Sequence, residues 1–457
     1  MHGRSAHRVD PSALLIRHVL YPLWALKNGS SRLRRLAELE ASQYWPATRL
    51  REHQWTLFKA LVAHAYETCP YYRDKYRGAG IQPRDLRSRE DIDSIPLLTK
   101  EEVQEHRAYM VSREYRVDHL IADMTGGSTG SPMQFYYDKE RLDSRVGATL
   151  RHNRWAGWEI GDRAAILWGA PQDMKAGRLR DRVRTWIQDR RVILDASALS
   201  ESVMAHFARE LIRYRPTVLQ AYANTLGLFA RYLQAQGVKD IRPHSIVCSA
   251  EVLTPENRQL IEDTFGCAVY NRYGCREFAV IASECEAHEG LHVNAENLMV
   301  EAVRHGRSCT DEDGEVVITD LRNLAMPMIR YNIKDVGRIK QSHCSCGRGL
   351  PLMELTGGRV TDFLLAINGS RVSGIVIATY VITNIPGIRQ IQFVQAEPGA
   401  VTVNLVKARE WTDGSMAELT ARIRRFLGDG MQVRAEFKDQ IPSERSGKYR
   451  FSISTLT

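Results

Sequence analysis

The sequence has no apolar run long enough to cross a bilayer. A membrane-spanning helix needs about 20 apolar residues, and the only candidate, 13-ALLIRHVLYPLWAL-26, is interrupted by Arg17, His18 and Pro22. No small-residue cleavage site follows it, so we predict no signal peptide and expect a cytoplasmic location. We expect an amphipathic helix that packs on the body of the protein. Peripheral contact with a membrane surface is the open alternative.

Cysteine is scarce, with eight among 457 residues. Without a signal peptide, this number does not indicate a disulfide framework. The sequence also lacks internal repeats, low-complexity tracts and a recognisable nucleic-acid-binding module. We therefore expect no nucleic-acid partner, despite a net charge of +9. A net positive charge is also typical of an enzyme that binds ATP and anionic substrates.

Strand-like and helix-like segments alternate through the middle of the chain. The strands are predicted at 161–169, 190–197, 217–222, 245–251 and 267–274. The helices are predicted at 140–158, 202–215, 224–236 and 255–266. This alternation predicts an α/β domain with a parallel sheet, in which ligands bind at the carboxyl ends of the strands.

The two ends of the chain have a different character. Helices are predicted at 30–45 and 52–69, and a loop at 70–88. Thr99, with Glu102 three residues later, predicts a helix start. After residue 290 the sequence becomes richer in strand-like segments, and a smaller unit follows from about residue 357.

A loop rich in glycine and hydroxyl side chains precedes the strand-like segment MQFYY. Glycines let the backbone approach a ligand closely, and unpaired N–H groups with hydroxyls can bind phosphate oxygens. The loop is not the P-loop G-x-x-x-x-G-K-[ST], because no Lys-Ser/Thr pair follows Gly130. Taken alone, it predicts either a phosphate site or a structural turn.

Six motifs occur in an informative order: TGGSTGSP, SAEVLTPENR, NRYGCRE, RYNIKD, GGRVTD and SGKYRF. In this order they resemble the adenylate-forming acyl-CoA synthetase superfamily, and most of all its phenylacetate–CoA ligase-like branch. That branch includes deazaflavin-coenzyme adenylylating enzymes and proteins linked to capsule polysaccharide synthesis. The resemblance implies a large, multi-subdomain α/β domain over residues 1–357, with a basic helical extension at 1–60. A small, mobile α+β domain would follow over 358–457.

The resemblance also implies a nucleotide site for ATP. Its phosphate loop would consist of Thr125, Gly126, Gly127, Ser128, Thr129 and Gly130. The adenine side would consist of Ser249, Ala250, Glu251, Tyr273 and Gly274. The Tyr273 ring would lie near adenine, and Asp335 would bind both ribose hydroxyls.

Three catalytic residues follow from the same resemblance. Glu277 would hold Mg²⁺, a hard cation that prefers oxygen ligands. Arg359 would lie at the nucleotide, and Lys448 would bring a mobile ammonium to the α-phosphate, where charge builds up during the reaction. The chain departs from the family pattern at Ser131, where the loop usually has lysine, and at Thr361, where the hinge usually has aspartate or lysine.

Cysteine and histidine cluster in two short segments, ECEAHEGLH and HCSCGRG. Structural Zn²⁺ is held by four thiolate or imidazole ligands in a tetrahedron. We predict such a site from Cys285, Cys344, Cys346 and one histidine, with reduced free thiols as the alternative. The Cys-x-x-His spacing favours His288. The competing nitrogens belong to His292 and His343.

The predicted activity is ATP-dependent, AMP-forming ligation of a carboxylic acid, with coenzyme A as the expected acceptor. An amine, a sugar or a carrier protein is the alternative acceptor. A degenerate nucleotide-binding scaffold in polysaccharide biosynthesis is a further hypothesis, based on the missing loop lysine. The acid is expected to be aromatic or compact, and the protein a monomer or homodimer. The candidate pocket walls are Trp155, Trp158, Trp168 and Tyr222.

Overall fold

The structure is a computed structural model. It describes residues 10–125, 133–168, 190–196, 201–251, 253, 255–357, 363–373, 377, 381, 385, 387–407, 410–439, 441, 452–454 and 456. No helix within these ranges is both long enough and apolar enough to cross a membrane.

Helices dominate the chain as far as Trp155 and then alternate with strands. The α-helices are Pro11–Leu15, Tyr21–Lys27, Arg32–Ser42, Ala47–Thr68, Pro70–Gly78, Lys100–Met110, Lys139–Trp155, Glu201–Tyr214, Ala223–Ala235, Pro255–Phe265 and Asp413–Leu427. A π-helical turn, Ile16–Leu20, joins the first two of these. Short 3-10 helices lie at Pro83–Asp85, Arg89–Ser94 and Val117–His119.

The strands belong to two larger sheets and two hairpins. Their bounds are β1 (Ile121–Met124), β2 (Gln134–Tyr137), β3 (Ala164–Trp168), β4 (Arg191–Asp195), β5 (Val218–Tyr222), β6 (Ser245–Ser249), β7 (Ala268–Cys275), β8 (Ala279–Ser283), β9 (Leu291–Val293), β10 (Leu298–Arg304), β11 (Arg307–Cys309), β12 (Gly314–Asp320), β13 (Tyr331–Lys340), β14 (Leu352–Gly357), β15 (Phe363–Leu365), β16 (Arg371–Ser373), β17 (Ile388–Gln395), β18 (Ala400–Lys407), β19 (Gln432–Phe437) and β20 (Ser452–Ser454).

The main sheet has a parallel part and a larger antiparallel part. Within the described ranges its order is β11-β10-β12-β13-β14-β9-β8-β7-β6-β5-β3-β4. The strands from β4 to β7 pair in parallel, and the pairing becomes antiparallel from β7 to β8 onward. β6 is buried along its whole length, as expected for a parallel strand covered on both faces. The α/β prediction is confirmed, and β3 to β7 coincide with the five predicted strands.

The helix Pro70–Gly78 corrects one expectation, since a loop was predicted there. Pro70 occupies the first turn, where its missing N–H costs no hydrogen bond. Tyr71, Tyr72 and Tyr76 form its buried face. The Tyr72 hydroxyl donates to the carbonyl of Pro327 at 2.8 Å. The buried face consists of tyrosines among charged residues, so it lacked the aliphatic signal of an ordinary amphipathic helix.

The predicted helix start at Thr99 is confirmed by its cap. The Thr99 hydroxyl accepts a hydrogen bond from the Glu102 amide at 3.2 Å. The Glu102 carboxylate in turn accepts one from the Thr99 amide at 2.8 Å. Together they form a capping box that satisfies two otherwise unpaired N–H groups.

The C-terminal strands form a smaller α+β unit with the sheet order β19-β18-β17-β20. β17 and β18 are antiparallel, whereas β19 and β20 pair in parallel with them. The helix Asp413–Leu427 contributes Leu419 and Ile423 to a hydrophobic cluster that includes Phe393 and Val403. This cluster is distinct from those of the main sheet, and it agrees with the predicted fold class.

Candidate functional site

The glycine-rich loop is closed at its base by a pair of reciprocal hydrogen bonds. The Thr125 amide donates to the Met133 carbonyl at 2.9 Å. The Met133 amide donates to the Thr125 hydroxyl, also at 2.9 Å. β1 and β2 are antiparallel directly below this point, with Met124 opposite Gln134. The loop is therefore mounted on a hairpin, and its two ends are held at a fixed separation.

The carboxyl ends of the parallel strands bring a second predicted motif into place. Tyr222, Ser249 and Arg272 lie side by side in the register of β5, β6 and β7. The Ser249 hydroxyl donates to the Arg272 carbonyl at 3.0 Å. Ala250 then adopts a φ of +67°, which is strained for a residue with a Cβ, and Glu251 is buried. The chain thus turns sharply at the edge where ligands bind in such sheets.

Tyr273 and Asp335, predicted from separate motifs, are in direct contact. The Tyr273 hydroxyl donates to the Asp335 carboxylate at 2.7 Å. Their strands, β7 and β13, are four steps apart in the sheet order. Four spacings in a flat sheet would separate them by about 19 Å. The sheet therefore curls between β7 and β13, so that the two residues share one region.

Glu277 lies in the tight turn between β7 and β8. The turn requires a glycine at 274, because a Cβ there would overlap the carbonyl oxygen of Ala279. Glu277 is half-buried. Burial and the neighbouring Glu277 carboxylate raise the pKa of Cys275 well above its usual value. The Glu277 carboxylate therefore lies beside Cys275, and carboxylate oxygen is the ligand type that Mg²⁺ prefers.

Several predicted site residues lie outside the described part of the chain. They are Gly126, Gly127, Ser128, Thr129, Gly130, Arg359 and Lys448. The departures from the family pattern, Ser131 and Thr361, lie outside it as well.

Four of the predicted metal ligands converge. The ligand atoms of Cys285, His292, Cys344 and Cys346 all lie within 4.8 Å of one another. The Cys285 and Cys344 sulfurs are 3.6 Å apart. The His292 Nε2 atom lies 3.3 Å from the Cys285 sulfur and 3.4 Å from the Cys346 sulfur.

These separations match the edges of a zinc tetrahedron. Bonds of about 2.3 Å to sulfur and about 2.0–2.1 Å to nitrogen give edges of about 3.8 Å between sulfurs and about 3.6 Å between sulfur and nitrogen. Burial, reinforced by the Arg348 guanidinium, lowers the pKa of His292 to about 4. The imidazole is therefore neutral near pH 7 and has a lone pair to offer a metal.

His288, which the Cys-x-x-His spacing favoured, is not in this group. It has a φ of +54°, and its Nδ1 atom lies 3.1 Å from the Glu284 carboxylate. Its ring faces that of Tyr270, with the centroids 4.8 Å apart. The other competing histidine, His343, is exposed. The structure therefore corrects the preferred histidine from His288 to His292.

Arg348 supports the cysteine–histidine group and was not recognised in the sequence. Its Nε atom donates to Gln43 at 3.1 Å, and Nη1 donates to Glu286 at 2.9 Å. Its guanidinium lies 4.7 Å from the Trp155 ring centroid, and that ring lies 5.5 Å from the ring of His292. In the sequence, its position two residues after Cys346 could have indicated this supporting role.

The four aromatic residues expected to line an acid pocket are not together. Trp155 packs beside His292, as described above. Trp158 donates to the Asp162 carbonyl at 3.2 Å, close to the N-terminal helices. Only Trp168 and Tyr222 form a pair, with ring centroids 4.1 Å apart at the carboxyl edge of the sheet. This pair is the only part of the predicted pocket wall that the described residues place near Ser249.

The chain is similar to several known proteins. Residues 364–455 match the family described as the CapK C-terminal domain. Phenylacetate-coenzyme A ligase of Thermus thermophilus is 27% identical over 338 residues, which cover 72% of this chain and 74% of that protein. Protein CapK of Staphylococcus aureus is 23% identical over 381 residues, which cover 80% of this chain and 81% of that protein.

This chain is therefore similar, over most of its length, to the phenylacetate–CoA ligase-like branch of the adenylate-forming superfamily. Phenylacetate-coenzyme A ligase of Pseudomonas putida, which is 25% identical over 71% of this chain and 73% of its own length, agrees. The fold agrees too. A solved 2-hydroxyisobutyryl-CoA ligase in complex with 2-HIB-AMP and CoA has a TM-score of 0.63 at 18% identity, over 90% of this chain and 91% of that chain.

Proposed function

We propose that this chain is an AMP-forming ligase of the phenylacetate–CoA ligase-like branch. It adenylates a carboxylic acid with ATP and transfers the acyl group to coenzyme A. The contact between Tyr273 and Asp335 at 2.7 Å carries this proposal. It joins the adenine-side motif to the ribose-binding motif, beside the strand edge that ends in Ser249. The relatives that are named phenylacetate-coenzyme A ligases support the same reaction.

The reaction runs in two displacements. A carboxylate oxygen of the acid attacks the α-phosphorus of ATP, and the bond from that phosphorus to the bridging oxygen breaks as pyrophosphate leaves. The CoA thiol, losing its proton, then attacks the acyl carbon and forms the thioester, while the bond to AMP breaks. Negative charge builds on the phosphate oxygens in the first step, so cations and fixed N–H donors are needed there.

We assign the nucleotide to the surface formed by the two motifs. Asp335 would exchange its bond to Tyr273 for bonds to the ribose hydroxyls, and the Tyr273 ring would border adenine together with Ser249, Ala250 and Glu251. The hairpin closed by Thr125 would hold the β- and γ-phosphates through Gly126–Gly130.

Three further charged residues are assigned to the phosphates and to Mg²⁺. Glu277 would hold Mg²⁺, which neutralises charge on the phosphates when it is bound. Arg359 and Lys448 would supply the protein's own cations at the nucleotide. Residues 1–357 would form the large domain and 358–457 the small domain that delivers Lys448. The separate hydrophobic cluster around Phe393 supports this division. We expect the enzyme to act in the cytoplasm.

A second candidate function differs only in the acceptor. The match of residues 364–455 to the CapK C-terminal domain favours it, because that part of the chain would face the acceptor. In this alternative, an amine, a sugar or a carrier protein takes the acyl group from the adenylate. ATP would be cleaved to AMP in both cases, but only the first would consume free CoA.

We also infer a structural Zn²⁺ held by Cys285, His292, Cys344 and Cys346. Three thiolates and one imidazole form a closed set with no position left for a substrate. The ligands come from the segment just after β8, from β9 and from the segment before β14. The metal would therefore fasten the antiparallel part of the sheet and would take no part in adenylation.

The test is AMP release by the purified chain across a panel of aromatic and short aliphatic acids, with and without CoA. We expect AMP with at least one acid, together with loss of free CoA thiol. Asp335→Ala should raise the KM for ATP by about 10- to 100-fold, because a charge-assisted contact to ribose is lost. AMP release without CoA consumption would contradict transfer to CoA and would support the second candidate function, with an amine, a sugar or a carrier protein as acceptor. Bound ATP without AMP release from any acid would refute it.

A further inference from the structure

The first helical segment of the described chain, Pro11–Lys27, exposes an apolar surface. Six of the twelve large hydrophobic side chains that are exposed within the described residues lie in it. They are Leu14, Leu15, Val19, Leu20, Leu23 and Leu26, here called the outer face. Leu23 and Leu26 are the most open, with 58% and 79% of their surface exposed. Contiguous exposure of this kind marks an interaction surface, whereas single exposed leucines do not.

The inner face of the same segment fixes its orientation. Ile16 and Tyr21 are buried in one hydrophobic cluster with Ile160. The Arg17 Nε atom donates to the Ile160 carbonyl at 3.0 Å, and Nη2 donates to the Asp162 carboxylate at 3.3 Å. The segment cannot rotate the outer face inward without losing these contacts. The six aliphatic side chains are therefore held toward the exterior.

The exposed charge of the segment itself is positive, because Lys27 is exposed whereas Arg17 is paired with Asp162 and Glu159 of the body of the protein. From Pro11 to Gly29 the sequence contains Arg17, His18 and Lys27 but no aspartate or glutamate. His18 and Lys27 are exposed on the segment itself. The carboxylate that precedes it, Asp10, is paired with Arg190 at 2.8 Å. A partner surface that covers the outer face should therefore be apolar where it contacts the leucines and negatively charged around that contact.

We propose that the outer face binds the surface of an anionic phospholipid bilayer, with the helical segment lying in the plane of the headgroups. Aliphatic side chains flanked by lysine and histidine suit this position, and a half-buried indole such as Trp24 suits the boundary. A second copy of the chain fits less well, because a two-fold contact pairs this face with itself, and Pro11–Lys27 offers no carboxylate to pair with Lys27.

Co-sedimentation of the full chain with vesicles tests this proposal. The chain should bind vesicles in which phosphatidylcholine and phosphatidylglycerol are mixed two to one, and should bind pure phosphatidylcholine at least fivefold more weakly. The double variant Leu23→Glu with Leu26→Glu should bind anionic vesicles at least tenfold more weakly. The matched control is Val117→Glu with Leu324→Glu, which alters two exposed hydrophobic side chains elsewhere and should bind like the wild type.

Circular dichroism and thermal unfolding will show whether the variants fold, and Leu26→Ser replaces the double variant if it does not. Absence of binding to anionic vesicles overturns the proposal, as does equal binding by wild type and variant. Equal binding of neutral and anionic vesicles also overturns it as stated. If the wild type forms a dimer that the double variant dissociates, and neither binds vesicles, the outer face belongs to a second copy of the chain.

Discussion

Replacing His292 by alanine should remove one quarter of the ligand set of the proposed zinc site. Structural zinc contributes about 10–16 kcal/mol to folding at pH 7, or about 2.5–4 kcal/mol for each of four ligands. A loss of this size weakens the zinc Kd by about 10²- to 10³-fold. The cavity left by a fully buried imidazole adds about 2–5 kcal/mol of destabilisation.

His288 provides a matched control four residues away. His288→Ala removes one hydrogen bond to Glu284 and should cost about 1 kcal/mol, with zinc binding unchanged. Zinc per chain is measured by plasma emission after gel filtration, and the Kd by competition with a chromophoric chelator. The reasoning is refuted if the His292 variant binds zinc as tightly as the wild type, if the His288 variant loses it, or if the wild type carries none.

Three further perturbations test the nucleotide site and the fold. Lys448→Ala should slow AMP formation by about 10²- to 10³-fold with an unchanged Tm, as measured by single-turnover assay and calorimetry. Gly274→Ala places a Cβ against a β8 carbonyl oxygen and should cost about 1–3 kcal/mol in urea unfolding, whereas Gly78→Ala meets open space and should be nearly neutral. Burial is the largest single influence and raises the pKa of Glu102, but the hydrogen bonds from Lys75 and the Thr99 amide, together with the Lys75 charge, outweigh it, and the net pKa is lowered. The stabilisation from Glu102 is therefore present above about pH 4.3 and is lost as the pH falls through the lowered pKa. Glu102→Gln should cost about 1 kcal/mol or less at pH 7 and nothing in strong acid.

Elements whose formation depends on neighbouring residues were predicted well from the sequence. β6 was recognisable as a short apolar run, and Thr99 as a cap, because each depends only on neighbouring residues. The helix Pro70–Gly78 was missed because its buried face is tyrosine and because its partners, such as Pro327, lie far along the chain.

The sequence favoured the wrong histidine for the same reason, because the contacts that decide between His288 and His292 join distant parts of the chain. His288 has the better spacing from Cys285, but it turns toward Glu284. His292 reaches the sulfurs because β9 pairs with β14, where it lies opposite Leu352. That pairing joins segments that are distant in the sequence, and short-range spacing contains no information about it. The contact between Tyr273 and Asp335 escaped detection for the same reason.

Each of two motifs in the proposed nucleotide site contains a residue with a strained backbone. Ala250 and Lys334 adopt φ values of +67° and +65°, a conformation that costs a residue with a Cβ about 1–2 kcal/mol. The Lys334 amide is held by the Asn332 side chain at 2.9 Å, which fixes the backbone immediately before Asp335. Glycine would relieve the strain at either position, but it would also let the backbone sample other conformations. The strained backbone at Lys334, fixed by a hydrogen bond within β13, instead holds Asp335 toward Tyr273 before any nucleotide binds, so less ordering entropy is lost when ATP binds.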